Sequence, residues 1–144
     1  MDRQKGKVPD MIWNVEEEIP FRDGTLDYII ASHIVEHLKN PVETLQNWIK
    51  KLKVDGLLVL IIPDKRYIPN IGTPNADPTH KHDWNPVDFK TNILEKLINS
   101  DIPLRLLSYN KINNNWSFDC VLRKLNQKDN LDTGTFLIRG NNNE

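Results

Sequence analysis

Two short apolar runs dominate the pattern of the chain, one over residues 26–31 and the other over residues 57–62. Both are rich in aliphatic side chains that favour strands, and neither alternates regularly between apolar and polar positions. Such runs are typical of strands with both faces covered, as in parallel sheets flanked by helices. The pattern therefore predicts two parallel strands of an α/β fold.

An amphipathic segment between these runs predicts a helix. Its apolar positions recur at helical spacing and form one stripe: Leu45, Trp48, Ile49 and Leu52. Asn40 suits the N-cap, and Pro41 suits the first helical position because proline has no backbone N–H to leave unpaired there. We expect this helix to end near Lys53, so that the segment reads strand, helix, strand.

The flanking segments carry weaker signals. Residues 11–15 could form a short first strand, and residues 63–86 contain five prolines and no periodicity, which predicts a long loop at the carboxyl edge of the sheet. A further helix follows, with Asn85 or Asn92 as its cap. Two strands over residues 104–109 and 117–122 are expected to form an antiparallel hairpin. Residues 135–138 are a candidate edge strand.

Composition sets limits on the class of protein. The 144 residues suit one domain over 1–124 with a polar tail over 125–144. A net charge of -1 gives no electrostatic reason to expect nucleic acid or a membrane surface as a partner. Cys120 is the single cysteine, so no internal disulfide can form, and we expect a small buried side chain. No signal sequence or membrane span is indicated, and a cytoplasmic location is expected.

Three motifs carry a resemblance to a known family. They are Ile19-Pro20-Phe21-Arg22-Asp23-Gly24 before the first strand, Ile34-Val35-Glu36-His37-Leu38 after it, and Lys53-Val54-Asp55-Gly56 before the second. Together they resemble the second half of a class I S-adenosylmethionine-dependent methyltransferase of the type 11 kind. The resemblance implies a partial Rossmann-like sheet, mostly parallel with an antiparallel C-terminal hairpin. It also implies S-adenosylmethionine as cofactor and a small molecule or sugar as methyl acceptor.

The resemblance assigns the cofactor side to five residues. Asn14 and Val15 stand where the family has the segment beside the adenine, although the family usually has an aspartate at the position of Asn14. Ala31, Ser32 and His33 stand at the strand end that faces the cofactor. An amide such as that of Asn14 can still pair with the edge of an adenine.

The resemblance assigns the methyl-transfer side to three residues. Glu36 and His37 belong to the motif that lines this site in small-molecule methyltransferases, and His80 lies in the loop that closes over the acceptor. Histidine titrates near neutrality, so His37 or His80 is expected to remove one proton from the acceptor, with Glu36 orienting the site. The remaining work is alignment and desolvation, and no metal is required.

One part of the family pattern is missing from the sequence. The family holds the methionine part of the cofactor with a glycine-rich turn and the ribose with an acidic residue, and Gly6 alone cannot replace the turn. We therefore expect a truncated or split enzyme, a partner that supplies the missing half, or a chain that has lost cofactor binding. Cofactor binding by the chain alone is expected to be weak or absent, and a partner chain or self-association should cover the incomplete sheet.

Two other functions compete with this interpretation. The first is a non-catalytic module, derived from a methyltransferase, that binds a partner chain. The second is a zinc hydrolase, because His33-x-x-Glu36-His37 matches an inverted zinc-peptidase motif, in which two histidines share one helix face. That motif needs a continuous helix, whereas the preceding run predicts a strand. His80, His82 and Asp83 also look like metal ligands, although loops often contain such groups.

Overall fold

The computed structural model describes residues 8–112 and 116–126. Its first half contains strand β1 (Leu26–Ser32), a 3₁₀ turn (Val35–His37), helix α1 (Pro41–Lys51) and strand β2 (Leu52–Pro63). β1 and β2 are parallel, with Ile29 beside Leu58 and Ala31 beside Leu60. The predicted strand, helix and strand are therefore confirmed. Asn40 occupies the N-cap position, but its side chain makes no capping hydrogen bond.

The second half builds one helical segment and a hairpin. The segment consists of α2 (Pro86–Phe89), a π-helical turn (Lys90–Leu94) and α3 (Glu95–Ile98), and the hairpin of β3 (Leu104–Tyr109) and β4 (Ser117–Lys124). The Asn85 side chain accepts a hydrogen bond from the Asp88 N–H at 2.8 Å, which confirms the predicted cap. The sheet order is β1-β2-β4-β3, with β4 antiparallel to both neighbours. The expected α/β class with an antiparallel C-terminal hairpin is confirmed.

One face of the sheet carries the core. Alternate side chains of β2 and β4 are buried and face each other across the ladder, as in the pairs Leu58–Leu122 and Leu60–Cys120. They join one apolar cluster with residues of both helical segments, including Trp48. Burial raises the pKa of the Cys120 thiol to about 12, so this cysteine behaves as a small core side chain, as expected.

The opposite face of the sheet is open among the described residues. Tyr28 and Ile30 of β1 are 62% and 60% exposed, and their β2 neighbours Leu57 and Val59 are only partly buried. The expectation that both apolar runs are buried on both faces is therefore wrong for β1. The physical reason is that the helices cover only the face of the sheet on which Leu58 lies. Within residues 8–112 and 116–126, β1 pairs with β2 alone.

Two further expectations are corrected, and a third concerns residues outside the described ranges. Residues 11–15 form no strand, because the Trp48 indole donates to the Val15 carbonyl at 3.1 Å and ties this segment to α1 as a loop. α1 ends at Lys51, two residues earlier than expected. The candidate strand at 135–138 and most of the tail lie outside the described residues. No helix within the described ranges is both long and apolar enough to cross a bilayer.

The motif Lys53-Val54-Asp55-Gly56 forms an irregularity in the β1–β2 ladder. Leu26 pairs with Leu52 but Tyr28 pairs with Leu57, so four residues of β2 lie opposite the single β1 residue Asp27. Asp55 has a φ of 71°, a conformation that aspartate tolerates better than most residues. A Cβ on Gly56 would lie 2.8 Å from the Lys53 carbonyl oxygen, so glycine is required there for close packing.

Candidate active site

His33 is fixed at the carboxyl end of β1. Its backbone N–H donates to the Ile61 carbonyl at 2.9 Å, and its φ of 55° turns the chain out of the strand. The Nε2 atom lies 2.9 Å from the Ser117 hydroxyl, and the ring packs edge-on against Trp116. His33 therefore belongs to the junction of β1, β2 and β4.

Glu36, His37 and His80 come together beside this junction. The Glu36 carboxylate is 1% exposed, and its Oε2 lies 3.4 Å from His37 Nε2 and 3.9 Å from His80 Nε2. The two imidazole rings are edge-to-face with centroids 4.8 Å apart. These three residues, predicted to be catalytic, thus share one cluster, although they come from a turn and a loop more than forty positions apart in the sequence.

The loop that contains His80 is built against the 3₁₀ turn. The Lys81 and His82 N–H groups both donate to the Glu36 carbonyl, at 2.8 and 3.2 Å. The His82 Nε2 lies 2.9 Å from the Leu38 carbonyl, and its ring stacks on Trp84. The sequence predicted a long loop here, and the structure adds that backbone hydrogen bonds hold it over the cluster.

Acceptor groups outside the cluster orient both rings. His37 Nδ1 lies 3.1 Å from the Thr79 carbonyl, and His80 Nδ1 lies 3.0 Å from Asp83 Oδ1. Carbonyls and carboxylates accept, so in the neutral form of each ring Nδ1 carries the proton and Nε2 presents a lone pair towards Glu36. Sequence reasoning did not assign Thr79 or Asp83 this role. The spacing of three residues between His80 and Asp83 was the available signal.

Burial dominates the electrostatics of the cluster. It raises the pKa of Glu36, and the opposing influences, its own backbone hydrogen bond and the nearby histidines, do not cancel that shift. Both carboxylate oxygens of Glu36 are buried without a hydrogen-bond partner among the described residues. Burying an ionised carboxylate without hydrogen bonds costs free energy. The surroundings of Glu36 therefore favour the binding of a proton or another cation by this carboxylate.

Asp77 lies at the margin of the cluster. Its Oδ2 is 3.9 Å from His80 Nε2, and its Oδ1 accepts a hydrogen bond from the Thr79 hydroxyl at 2.6 Å. That hydrogen bond is the main reason why the pKa of Asp77 lies below its usual value. The edge of the cluster that is open to solvent therefore carries a negative charge beside His37, which is 32% exposed.

The residues expected on the cofactor side are more dispersed. Asn14 is exposed, and its side-chain oxygen accepts from the Glu16 N–H at 2.9 Å, while Val15 packs towards α1. Ala31 is buried within β1, and Ser32 is exposed at the strand end on the side of Ile30. The end of β1 is thus available to a ligand, whereas Asn14 is engaged in a local turn.

Several cavities lie away from the cluster, and two of them border the elements around it. One of about 690 Å³ lies between α1 and the helical segment that begins at Pro86, and Asn40, His82 and Trp84 contribute to its lining. The other, of about 460 Å³, lies on the open face of the sheet against Tyr28 and Leu57. Neither is lined by Glu36, so the chemistry of the cluster is not housed in either cavity.

The zinc-peptidase motif does not adopt the geometry it needs. His33 lies at the end of a strand in the left-handed region, and the 3₁₀ turn that follows spans only Val35–His37. His33 and His37 therefore do not share the face of a continuous helix. His33 is directed to Ser117, while His37 joins Glu36.

Comparison with known proteins identifies the family. A family model described as a methyltransferase domain matches residues 2–118, and the chain belongs to that family. A comparison with curated protein sequences found no match. The family assignment confirms the resemblance inferred from the motifs around Glu36 and Gly56.

Solved structures of methyltransferases share the fold. An S-adenosylmethionine-dependent methyltransferase from Aquifex aeolicus aligns with a TM-score of 0.56 at 18% identity, over 78% of this chain and 53% of that one. The second structure is a complex of the Haloferax volcanii Trm112 methyltransferase activator with a methyltransferase. One of its chains aligns with a TM-score of 0.57 at 10% identity, over 81% of this chain and 61% of that one. A methyltransferase from Thermotoga maritima aligns with a TM-score of 0.54 at 12% identity, over 79% of this chain and 62% of that one. The chain spans between half and two thirds of the length of these structures.

Proposed function

We propose that these residues form the methyl-transfer side of an S-adenosylmethionine-dependent methyltransferase that acts on a small-molecule or sugar acceptor. The observation that carries the proposal is the convergence of Glu36, His37 and His80 beside the carboxyl end of β1. Ligands of open α/β sheets bind at this edge. Membership of the methyltransferase-domain family supports the same reaction class.

The described residues fit one side of the cofactor site. The end of β1, from Ala31 to His33, is exposed at Ser32 and would lie against the cofactor. The sequence ahead of β1 has no glycine-rich turn for the methionine part. S-adenosylmethionine supplies the methyl group when it is bound, and we propose that these residues alone hold it weakly.

His37 is the proposed proton acceptor. Its Nε2 faces Glu36 with a free lone pair, because Nδ1 donates to the Thr79 carbonyl. The acceptor's O–H or N–H proton moves to that Nε2 atom as the acceptor atom gains its methyl group. The buried Glu36 carboxylate stabilises the imidazolium that results, and His80, 10% exposed, packs beside the ring.

A methyl-transfer assay tests this function. Radiolabelled S-adenosylmethionine at millimolar concentration compensates for weak binding, and a panel of small hydroxyl compounds, amines and sugars serves as acceptors. We expect label in at least one acceptor class. No transfer to any member of the panel, with the cofactor shown to be bound, would contradict the proposal.

A second candidate function rests on the open sheet face. Tyr28 and Ile30 expose apolar surface next to the side of β1 that has no strand partner within residues 8–112 and 116–126, which is a surface that other chains can bind. We propose that a partner chain or a second copy covers it, either to complete the enzyme or in a non-catalytic module. One structural relative is a methyltransferase held in a complex with its activator, which makes a partner chain a reasonable first test.

Light scattering after size-exclusion chromatography tests self-association, and Ile30→Asp is the matched variant. A dimer that becomes a monomer in the variant identifies a second copy as the cover. A monomer in both proteins points to a different partner chain. An oligomer that Ile30→Asp leaves intact would contradict the use of this face.

A further inference from the structure

When Glu36 is ionised and both rings are neutral, three acceptors converge in the cluster without a donor between them. The lone pairs of His37 Nε2 and His80 Nε2 both face Glu36 Oε2, because both Nδ1 atoms are committed to outside acceptors. The carboxylate is 1% exposed and has no hydrogen-bond partner among the described residues. Buried lone pairs that face one another repel, so the arrangement calls for a cation between them.

We propose that Glu36, His37 and His80 bind a divalent transition-metal ion, for which Zn²⁺ is the best match. Two imidazoles and one carboxylate are an established zinc donor set, and such sites keep a fourth position open. Zinc is preferred because imidazole is a ligand of intermediate softness, whereas Mg²⁺ and Ca²⁺ select oxygen ligands. This inference departs from the sequence-based expectation that no metal is required.

The distances suit a metal of this size. One ligand atom from each of the three residues lies within 4.8 Å of the other two. Tetrahedral bonds of 2.0–2.1 Å separate neighbouring donor atoms by about 3.4 Å. The separation of His37 Nε2 from Glu36 Oε2 is 3.4 Å, and that of His80 Nε2 is 3.9 Å. Ideal tetrahedral spacing therefore requires His80 Nε2 to approach Glu36 Oε2 by about 0.5 Å.

The surroundings supply the outer contacts that metal sites need. Metal-binding histidines usually donate their second ring N–H to a carboxylate or a backbone carbonyl, which fixes the tautomer and the ring orientation. Asp83 does this for His80, and the Thr79 carbonyl does it for His37. Asp77 Oδ2 lies 3.9 Å from His80 Nε2, but Asp77 is not part of the set of ligand atoms within 4.8 Å of one another, so the donor set is Glu36, His37 and His80.

The metal site shares Glu36, His37 and His80 with the methyl-transfer proposal, but it can be tested independently of it. A lone pair on His37 Nε2 that binds a metal cannot take a proton at the same time, so zinc is expected to inhibit transfer that uses His37 as the base. Metal binding requires neither cofactor nor acceptor. Its measurement can therefore fail while methyl transfer succeeds, or the reverse.

Titration of the whole chain with Zn²⁺ tests the inference. The protein is stripped with a chelator, dialysed, and titrated in competition with a chromophoric zinc chelator. We expect one Zn²⁺ per chain and a loss of affinity of about 100-fold or more in Glu36→Gln and His80→Gln. Asp83→Asn should lose about 10- to 100-fold, because it weakens an outer contact. The other two histidines provide matched controls, and His33→Gln and His82→Gln should bind as the parent does.

A second measurement covers the case in which a cluster variant fails to fold. Co²⁺ added to the unmodified chain should give visible d–d absorption of tetrahedral intensity with no thiolate charge-transfer band, and Zn²⁺ should displace it. No Zn²⁺ bound at micromolar concentration, or a weak octahedral Co²⁺ spectrum, would overturn the site. Equal loss of zinc in His33→Gln and His82→Gln would also overturn it.

Discussion

The Nδ1 atom of His80 lies 3.0 Å from Oδ1 of Asp83, and the second oxygen of the same carboxylate accepts the Ile71 N–H at 2.6 Å. One side chain thus orients a ring of the cluster and closes the proline-rich loop behind it. The loop over residues 63–86 owes its order to such contacts, since it contains no helix or extended ladder of its own.

Asp83→Ala should therefore loosen the loop. Hydrogen bonds to a charged acceptor contribute about 1.5–3 kcal/mol, and about 1.4 kcal/mol corresponds to a tenfold change in an equilibrium. We expect amide exchange at Ile71 to accelerate by roughly tenfold or more. Hydrogen exchange followed by NMR measures it, and Asp83→Asn, which keeps an accepting oxygen, should restore much of the protection. Unchanged exchange in Asp83→Ala would show that the loop is held by other contacts.

The two faces of the sheet should respond differently to a buried charge. Leu58 is completely buried, so Leu58→Asp places an unpaired carboxylate in the core and should abolish cooperative folding. Ile30→Asp lies on the open face and should unfold near the temperature of the parent. Circular dichroism melts of both variants check this. Native-like melting of Leu58→Asp would mean that β2 is not central to the core.

The ion pair of Lys51 with Asp23 predicts a dependence of stability on pH. Lys51 is buried and donates to Asp23 at 3.0 Å, and that hydrogen bond is the main reason why the pKa of Asp23 is lowered. A carboxylate with a lowered folded-state pKa stabilises the fold above its unfolded-state pKa, and the contribution is lost as pH falls through the folded value. Asp23→Asn should therefore be less stable than the parent at pH 7.

Urea unfolding at a series of pH values from neutral to strongly acidic measures this difference. The gap between Asp23→Asn and the parent should close below the folded-state pKa of Asp23, where the parent carboxyl is also neutral. Asp27→Asn is the control, because Asp27 pairs with Lys53 at the surface and surface pairs contribute little. A gap that is constant across the pH range would assign the effect to packing.

Binding of S-adenosylhomocysteine to the chain should be weak. The residues at the end of β1 remain, whereas the sequence lacks the glycine-rich turn that holds the methionine part. Calorimetry should give a dissociation constant above about 10 µM, which corresponds to roughly 7 kcal/mol. A tighter constant would show that other residues of this chain replace the missing turn.

The sequence predicted the helices and strands better than it predicted which faces of the sheet are buried. The apolar runs and the stripe through Trp48 define β1, α1 and β2 because their periodicity is a property of neighbouring residues. Tyr28 and Leu58 look equally apolar in the sequence, yet one is exposed and the other is buried. Which face is covered depends on where distant helices pack, and no short pattern encodes that.

The sequence indicated the three residues that cluster in the structure but not how the cluster is organised. Glu36, His37 and His80 were identified through the family resemblance and through the titration range of histidine. The burial of Glu36 and the orienting contacts of Thr79 and Asp83 depend on how a long loop folds back over the 3₁₀ turn. Loop closure of this kind is set by tertiary hydrogen bonds, which residue spacing does not reveal.

Single-turnover methyl transfer at millimolar S-adenosylmethionine tests the proposed role of His37 as the proton acceptor. His37→Gln should slow transfer by about 10²- to 10⁴-fold, the usual contribution of a general base, with the affinity for S-adenosylhomocysteine unchanged. His82 contacts Glu36 only through its backbone N–H, so His82→Gln, which removes an imidazole from the same region, should transfer at nearly the parent rate. Equal rates in the parent and in His37→Gln would contradict the account.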